Sequence, residues 1–583
     1  MGCLCTFVLT FTFVVCRTTL ALPDGLTGFK PPVMYGTDDD DKPVKDDVFL
    51  PRQPKAALTR TWPGMINFPD ATAFNILGSK LDGKIVTPID ANFSSLALMR
   101  NIRVTKLPYV IVLVASDQDV VETMLFAKKY NLMVTIQSSG HSYIGRSTFD
   151  GSIQINFKGM TKRTVNLNSS RNPAGEITVE SGNSWMDVYT EVSKIQTVEN
   201  NKTVGRVIVG GSAHTVAMGG YTQGGGHSPM TRTLGLAVDN LLEATLVTVD
   251  GRILTVSEMG TSAIELDGSV TRTNDTSLFW AIRGGGGGTW GAVLTFTFKL
   301  HYAPERFRNV QAQWILKAGT VDSFGRETLK FVLREVAKLC PNWGGYFMLS
   351  GDSIPNTIYS EVLTVFFNHF GSDSDPCNKD IDALLNFNVS GNQVTRKDIS
   401  YPTFLGYEKT AIDAAYSNTY IVNTFVQPST ITDEKKLDEL VDIFIHLDLT
   451  RGGCTGALIG GAASKVQPET TPVNPYFRSG LMSLSCGVSW DSSKVLNGSA
   501  YIDMSRRLGL SLRKVATGVY FNECDEDLTD WKTMFWGSMT NYCKLKAIKQ
   551  RVDPDHFLWC HNCVGSDFQT DDCTHGLTMP IIG

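Results

Sequence analysis

Gln137-Ser138-Ser139-Gly140-His141-Ser142-Tyr143-Ile144-Gly145-Arg146-Ser147 is the stretch on which the fold turns. A histidine stands there between a glycine and a serine, in a run small enough for backbone amides to approach a ligand closely. Upstream, Tyr109 to Val114 is a continuous apolar run suited to a buried strand, and Ser116 with Asp119 three residues on caps the helix that follows. Val120, Val121, Met124 and Leu125 give that helix one apolar face before Leu132 to Ile136 form a second strand. The unit reads as β-α-β, and its second strand delivers the histidine loop.

Glycines cluster again at Gly210-Gly211, Gly219-Gly220, Gly224-Gly225-Gly226 and Gly284 to Gly288, a recurrence that suits backbone laid against a long cofactor. Gly286, Gly288 and Gly291 satisfy G-x-G-x-x-G, the fingerprint of a nicotinamide site, which must open a helix. Here Leu294, Phe296, Phe298 and Leu300 alternate with Val293, Thr295, Thr297 and Lys299, the period of a strand, so the nicotinamide reading fails.

The chain has 583 residues, 42% of them apolar, enough for two to four domains and a sizeable core. A net charge of -5 without a basic run argues against nucleic acid. Cys5 to Cys16 is an apolar stretch of signal-peptide length, too short to span a membrane, with Thr19 and Ala21 as small residues for cleavage, so residues 1–21 read as a secretory leader. From there to about Asp90 the chain is rich in Pro, Gly and Asp and reads as an arm (22–103) laid over the body. Within it Asp38-Asp39-Asp40-Asp41-Lys42 looks like an enteropeptidase target but reads better as a solvated acidic loop. Six glycosylation sequons (Asn92, Asn168, Asn201, Asn274, Asn388, Asn497) fit a secreted surface, and nine cysteines beyond the leader fit an oxidising compartment. Nine is odd, so at least one stays free or pairs elsewhere. Cys560-His561-Asn562-Cys563 reads as a structural disulfide rather than a redox or zinc motif, since no second pair stands at ligand spacing.

After about Tyr302 longer mixed α and β segments suggest a second domain to roughly Leu510, and the tail is dense in aromatics and acids. In the order of these segments the chain resembles the FAD-linked oxidases of the vanillyl-alcohol oxidase type, within them the berberine bridge enzyme-like branch, over roughly Pro108 to Gly565. Gly140-His141-Ser142-Tyr143-x-Gly145-x-Ser147 is similar to the flavin-attachment loop, Gly211 to Gly220 to the second flavin loop, and Leu278 to Gly286 to a segment closing the flavin domain. Tyr520-Phe521-Asn522-Glu523, Phe535-Trp536-Gly537, Asn541-Tyr542, Ile548-Lys549, Asp553-Pro554 and Val564-Gly565-Ser566 resemble the C-terminal segment of the fungal-type subgroup.

The resemblance implies an α+β fold: a two-subdomain PCMH-type FAD-binding domain (104–302), an α/β substrate domain (303–510) whose antiparallel sheet covers the flavin, and a C-terminal segment (511–583) returning to the flavin side. It implies FAD bonded through His141, with flavin contacts from Ser139, Gly140, Ser142, Tyr143, Gly145, Ser147, Gly211, Ser212, Val216, Gly219, Gly220, Gly224 and Asn522. Bicovalent members carry cysteine where Ala213 stands, so a single link is implied, and the small Val216 implies reaction with O2. Many relatives place a tyrosine base where Glu523 stands, which leaves Glu523 and Tyr520 as candidates, with a buried carboxylate raised in pKa toward the working pH. His214 and His227 lie near the second loop, placed either to hydrogen bond to the ring or substrate or to serve a structural role, and are not taken as catalytic. The expected reaction is oxidation of an alcohol or sugar CH-OH with O2 reduced to H2O2. A dehydrogenase or oxidative cyclase acting on an alkaloid or phenol, and a non-catalytic secreted flavin-scaffold glycoprotein, are the rivals.

Overall fold

The computed structural model describes residues 60–567 and Cys573, apart from 200, 319–320, 323, 353–359, 373, 412–415, 450–451 and 491–497. The leader, the Asp38 to Lys42 run and Asn497 lie outside the described residues. The chain mixes helices with three larger sheets and one small one, an α+β arrangement in which antiparallel pairing dominates.

The first sheet has four strands in the order Lys84–Val86, Val110–Leu113, Ile153–Asn156, Val134–Gln137. The expected helix spans Asp117–Lys129; Ser116 caps it by accepting from Asp119 N–H, and Val120, Val121 and Met124 are buried. The Asp119 carboxylate turns instead to the N–H groups of Asp82, Gly83 and Ala115 at 2.8, 2.9 and 2.7 Å. The β-α-β reading needs one correction: its two strands do not touch. Ile153–Asn156 lies between them, parallel to both, with Val110 and Val134 both opposite Ile153. That central strand is buried on both faces, and Asn156 Nδ2 donates to Gln137 Oε1 and Gln154 Oε1. Two buried amides interrupt the apolar run by which a central strand is recognised.

The segment before residue 104 is also more than an extended arm. Ala71–Gly78 and Phe93–Ala97 are helical, Lys84–Val86 is a sheet strand, and Phe74, Leu77, Val86, Phe93 and Leu96 are buried. Those apolar residues are spaced too widely among Pro, Gly and Asp to show a period.

The second sheet has seven antiparallel strands, with Ala292–Lys299 between Leu241–Val247 and Glu176–Glu180. Gly291 enters this strand at φ +151°, and a Cβ there would meet the Val247 carbonyl, so the glycine run opens a strand as its alternation requires.

The third sheet runs from Phe307–Ala318 through Ser360–His369, Trp343–Asp352, Gly452–Leu458 and Met482–Trp490 to Asn418–Val426. Its two faces separate by the period of two. Phe347, Leu349, Val422, Leu484 and Cys486 form one core with helices Gly325–Lys338 and Glu434–Ile445, while Tyr346, Asn423, Ser483 and Ser485 occupy the other face. Cys454 and Cys486 stand opposite each other in register and are bonded, as are Cys340–Cys377, Cys543–Cys573 and Cys560–Cys563. Cys524 is the free one and is buried. Cys560 and Cys563 are thus bonded to each other, as a disulfide reading of that motif expects. No described helix is long and apolar enough to cross a membrane.

Candidate active site

The histidine loop follows Val134–Gln137 and bends at two glycines, Gly140 and Gly145, both at φ +76°. The Gly140 carbonyl accepts from Arg100 N–H at 2.9 Å, and Ser142 Oγ accepts from Arg146 N–H at 3.0 Å. The Tyr143 carbonyl accepts from Asn101 Nδ2 at 2.6 Å, and Ser147 Oγ lies 3.7 Å from Met99 Sδ. Arg146, half-buried, donates to the Phe521 and His561 carbonyls at 2.6 and 3.1 Å, tying this loop to the C-terminal segment.

The second loop meets the first at two points. Ser139 Oγ accepts from Ala217 N–H at 3.0 Å, and His141 Nε2 lies 2.8 Å from Thr215 Oγ1. Arg100 can only donate, so Thr215 Oγ1 accepts from its Nη2 at 2.9 Å. The Val216 carbonyl accepts from Trp185 N–H at 3.0 Å, and the Gly211 carbonyl from Tyr189 OH at 2.9 Å.

Three glycine segments share one wall. A Cβ on Gly219 would strike Ser138 Oγ, while one on Gly220 would meet nothing within 4 Å. One on Gly287 would lie 3.6 Å from Gly220 Cα, and Gly286 N–H donates to the Gln223 carbonyl at 2.9 Å. On this wall Thr222 Oγ1, Gln223 Oε1 and Trp290 Nε1 are buried with no hydrogen-bond partner. Buried polar groups are satisfied as a rule, so this set fits a long polar cofactor that supplies both donors and acceptors.

The C-terminal segment closes the other side. A Cβ on Gly224 would collide with the Asn522 amide, whose Nδ2 donates to the Tyr221 carbonyl at 3.2 Å and to Tyr520 OH at 2.8 Å. Tyr520, 2% exposed, also accepts from Gly226 N–H at 3.2 Å, and burial beside Glu523 pushes its phenol up. Glu523 stands at the meeting of three elements: Oε1 is 2.8 Å from His227 Nε2, and Oε2 accepts from Ser485 Oγ of the third sheet at 2.6 Å. Its side chain keeps 24% exposure, so it faces open space.

The expected rise in the Glu523 pKa is not found. Burial pushes its carboxyl up, but the His227 imidazole and the Ser485 hydroxyl outweigh that and hold it below the ordinary carboxylate range. Beside the second loop, the Glu408 carboxyl is pushed up to about 8 by burial. Ser212 Oγ donates to its Oε1 at 3.0 Å and accepts from Tyr346 OH at 3.1 Å. Sequence reasoning passed over Glu408, Thr215, Arg100 and Ser485 and set His227 aside. Thr215 alone had a signal, its place in the second loop.

A family model described as FAD binding domain matches residues 108–257, and one described as berberine and berberine like matches 519–565. The first holds His141 and the loop from Gly211 to Gly220; the second holds Tyr520 to Glu523. An uncharacterised FAD-linked oxidoreductase of Arthroderma benhamiae is 28% identical over 79% of this chain and 78% of its own. A VAO-type flavoprotein oxidase of Thermothelomyces thermophilus is 27% identical over 80% and 78%. In fold, the chain matches a VAO-type flavoprotein from Myceliophthora thermophila with TM-score 0.71 at 22% identity, covering 87% of this chain and 97% of that one. Berberine bridge enzyme from Eschscholzia californica matches with TM-score 0.66 at 20% identity, covering 85% and 98%. With a match to an FAD-binding domain carrying the histidine loop and to a berberine-like segment carrying the acid, the chain is similar over most of its length to FAD-linked oxidoreductases of the VAO and berberine bridge enzyme-like type.

Proposed function

We propose that this enzyme is a secreted oxidase that holds FAD covalently through His141 and oxidises a CH-OH group of a small alcohol or sugar, with O2 reduced to H2O2. The observation that carries the reading is the Glu523 carboxylate, ionised at neutral pH, partly accessible, and held from two sides by His227 and Ser485. Bound FAD would supply the hydride acceptor, leaving the protein to bind, orient and remove one proton. Glu523 takes the hydroxyl proton of the substrate, and His227 Nε2 at 2.8 Å holds the carboxyl in place. Tyr520 OH accepts two N–H groups, so its own hydrogen is left for an oxygen of the bound reactants. Ionised and partly accessible, Glu523 is better placed to act as base than the buried Tyr520, which serves to orient.

Around the histidine, Ser139, Gly140, Ser142, Tyr143, Gly145 and Ser147 shape the attachment bend, and Gly211, Ser212, Val216, Gly219, Gly220, Gly224 and Asn522 line the facing wall. Ala213 leaves His141 as the single point of attachment, and the small Val216 leaves room for O2. Four disulfides and exposed side chains at Asn92, Asn168, Asn201, Asn274 and Asn388 support passage through the secretory pathway. A screen of alcohols and sugars under air tests the reaction. Peroxide formed in step with substrate loss supports it; substrate oxidised only with an added dye acceptor identifies a dehydrogenase instead.

A further inference from the structure

Glu408 ends the short helix Phe404–Glu408, on the substrate side, and is fully buried against the second loop. The hydrogen bond and the ion-pair contact of its side chain both run to that loop. Oε1 accepts from Ser212 Oγ at 3.0 Å, its backbone carbonyl is 2.7 Å from His214 Nε2, and Oε2 is 3.8 Å from the same nitrogen. Ser212 in turn accepts from Tyr346 OH on the polar face of the third sheet. Oε2 is buried and has no hydrogen-bond partner. The titratable groups facing the carboxyl are Tyr189, Tyr221, Tyr346 and Tyr407, and His214; no arginine or lysine pairs with it among the described residues. An ionised carboxylate in that setting would be buried without a strong counter-charge, which is costly, whereas a neutral carboxyl has no charge to compensate.

We infer that Glu408 is a positioning residue that acts as a neutral strut, holding Ser212 and His214 so that Thr215, one residue further on, faces His141. The inference deepens the flavin-attachment reading and rests on it for one of its two readouts. Burial lifting the Glu408 carboxyl to about 8 agrees with a neutral side chain at physiological pH.

The test compares wild type, Glu408→Gln and Glu408→Leu as full-length secreted protein. The first readout is the fraction of flavin that stays with the protein after acid precipitation. A neutral strut is replaced by glutamine and not by leucine, so Glu408→Gln keeps the wild-type fraction and Glu408→Leu lowers the attached-to-free ratio about fivefold, the weight of one net hydrogen bond. Glu408→Leu matching wild type, or Glu408→Gln falling as far as Glu408→Leu, overturns the inference.

The second readout needs no flavin chemistry: melting temperature between pH 5 and pH 8. A carboxyl neutral in the fold but ionised when unfolded makes the protein lose stability as pH rises through that window. Glu408→Gln removes this part of the slope, and an unchanged slope overturns the inference. Should wild type hold no acid-stable flavin, the attachment reading falls by itself, and the pH slope still decides whether Glu408 is held neutral.

Discussion

Replacing Glu523 by glutamine tests the proposed base with little change of shape. The amide retains an oxygen able to accept from Ser485 Oγ or His227 Nε2, which now lie 2.6 and 2.8 Å from the carboxylate. What it loses is the capacity to take a proton. A positioned general base contributes roughly 10²- to 10⁴-fold to rate, and water can stand in for part of it because the side chain is 24% exposed. The expected fall in kcat is therefore about 10²- to 10³-fold, some 3–4 kcal/mol of barrier, measured by peroxide release on a saturating substrate. Absorbance of the flavin should not change.

The pH profile carries the sign. A base must be ionised, so activity is present above its pKa and lost as pH falls through it; with Glu523 held below the ordinary 4.5, the acid limb of wild type lies below that value. His227→Gln removes the imidazole that holds the carboxyl down and leaves its burial and the Ser485 hydrogen bond, so the limb moves up. A Glu523→Gln enzyme within about threefold of wild type, too little for a general base, or an acid limb unmoved in His227→Gln, would refute the assignment.

Two further outcomes concern the seams of the fold. Lys549 and Asp553 form a pair 1% and 0% exposed at 2.5 Å, and Lys549 Nζ also donates to the Thr289 and Leu558 carbonyls, so Lys549→Met should destabilise by about 3–5 kcal/mol in urea unfolding. Arg146→Met strips donors from the Phe521 and His561 carbonyls and should cost about 1–3 kcal/mol, with a lower melting temperature and looser flavin retention.

How much of this was legible in the sequence varied with the physics behind each part. The strand at Ala292–Lys299 was readable because alternation survives even where both faces are largely buried. The helix Asp117–Lys129 was readable from its cap and apolar face, and the odd cysteine from arithmetic. Ile153–Asn156 was not, because Gln154 and Asn156 satisfy each other inside the core and mimic a surface strand. The partners of Glu523 were not legible either. Ser485 reaches it from a strand whose neighbours set which face it uses, and His227 lies almost 300 positions away. Glu408 left no signal at all, since its pKa arises from burial created only when the substrate side closes on the second loop.

His141 meets Thr215 at 2.8 Å where two glycine-rich loops join, and the flavin bond proposed there is open to direct test. Purified wild-type protein and His141→Ala, each precipitated with acid and washed, decide it by absorbance of the pellet. Yellow wild-type pellet and colourless His141→Ala pellet are the predicted result; flavin released from wild type into the supernatant, or retained by His141→Ala, contradicts it.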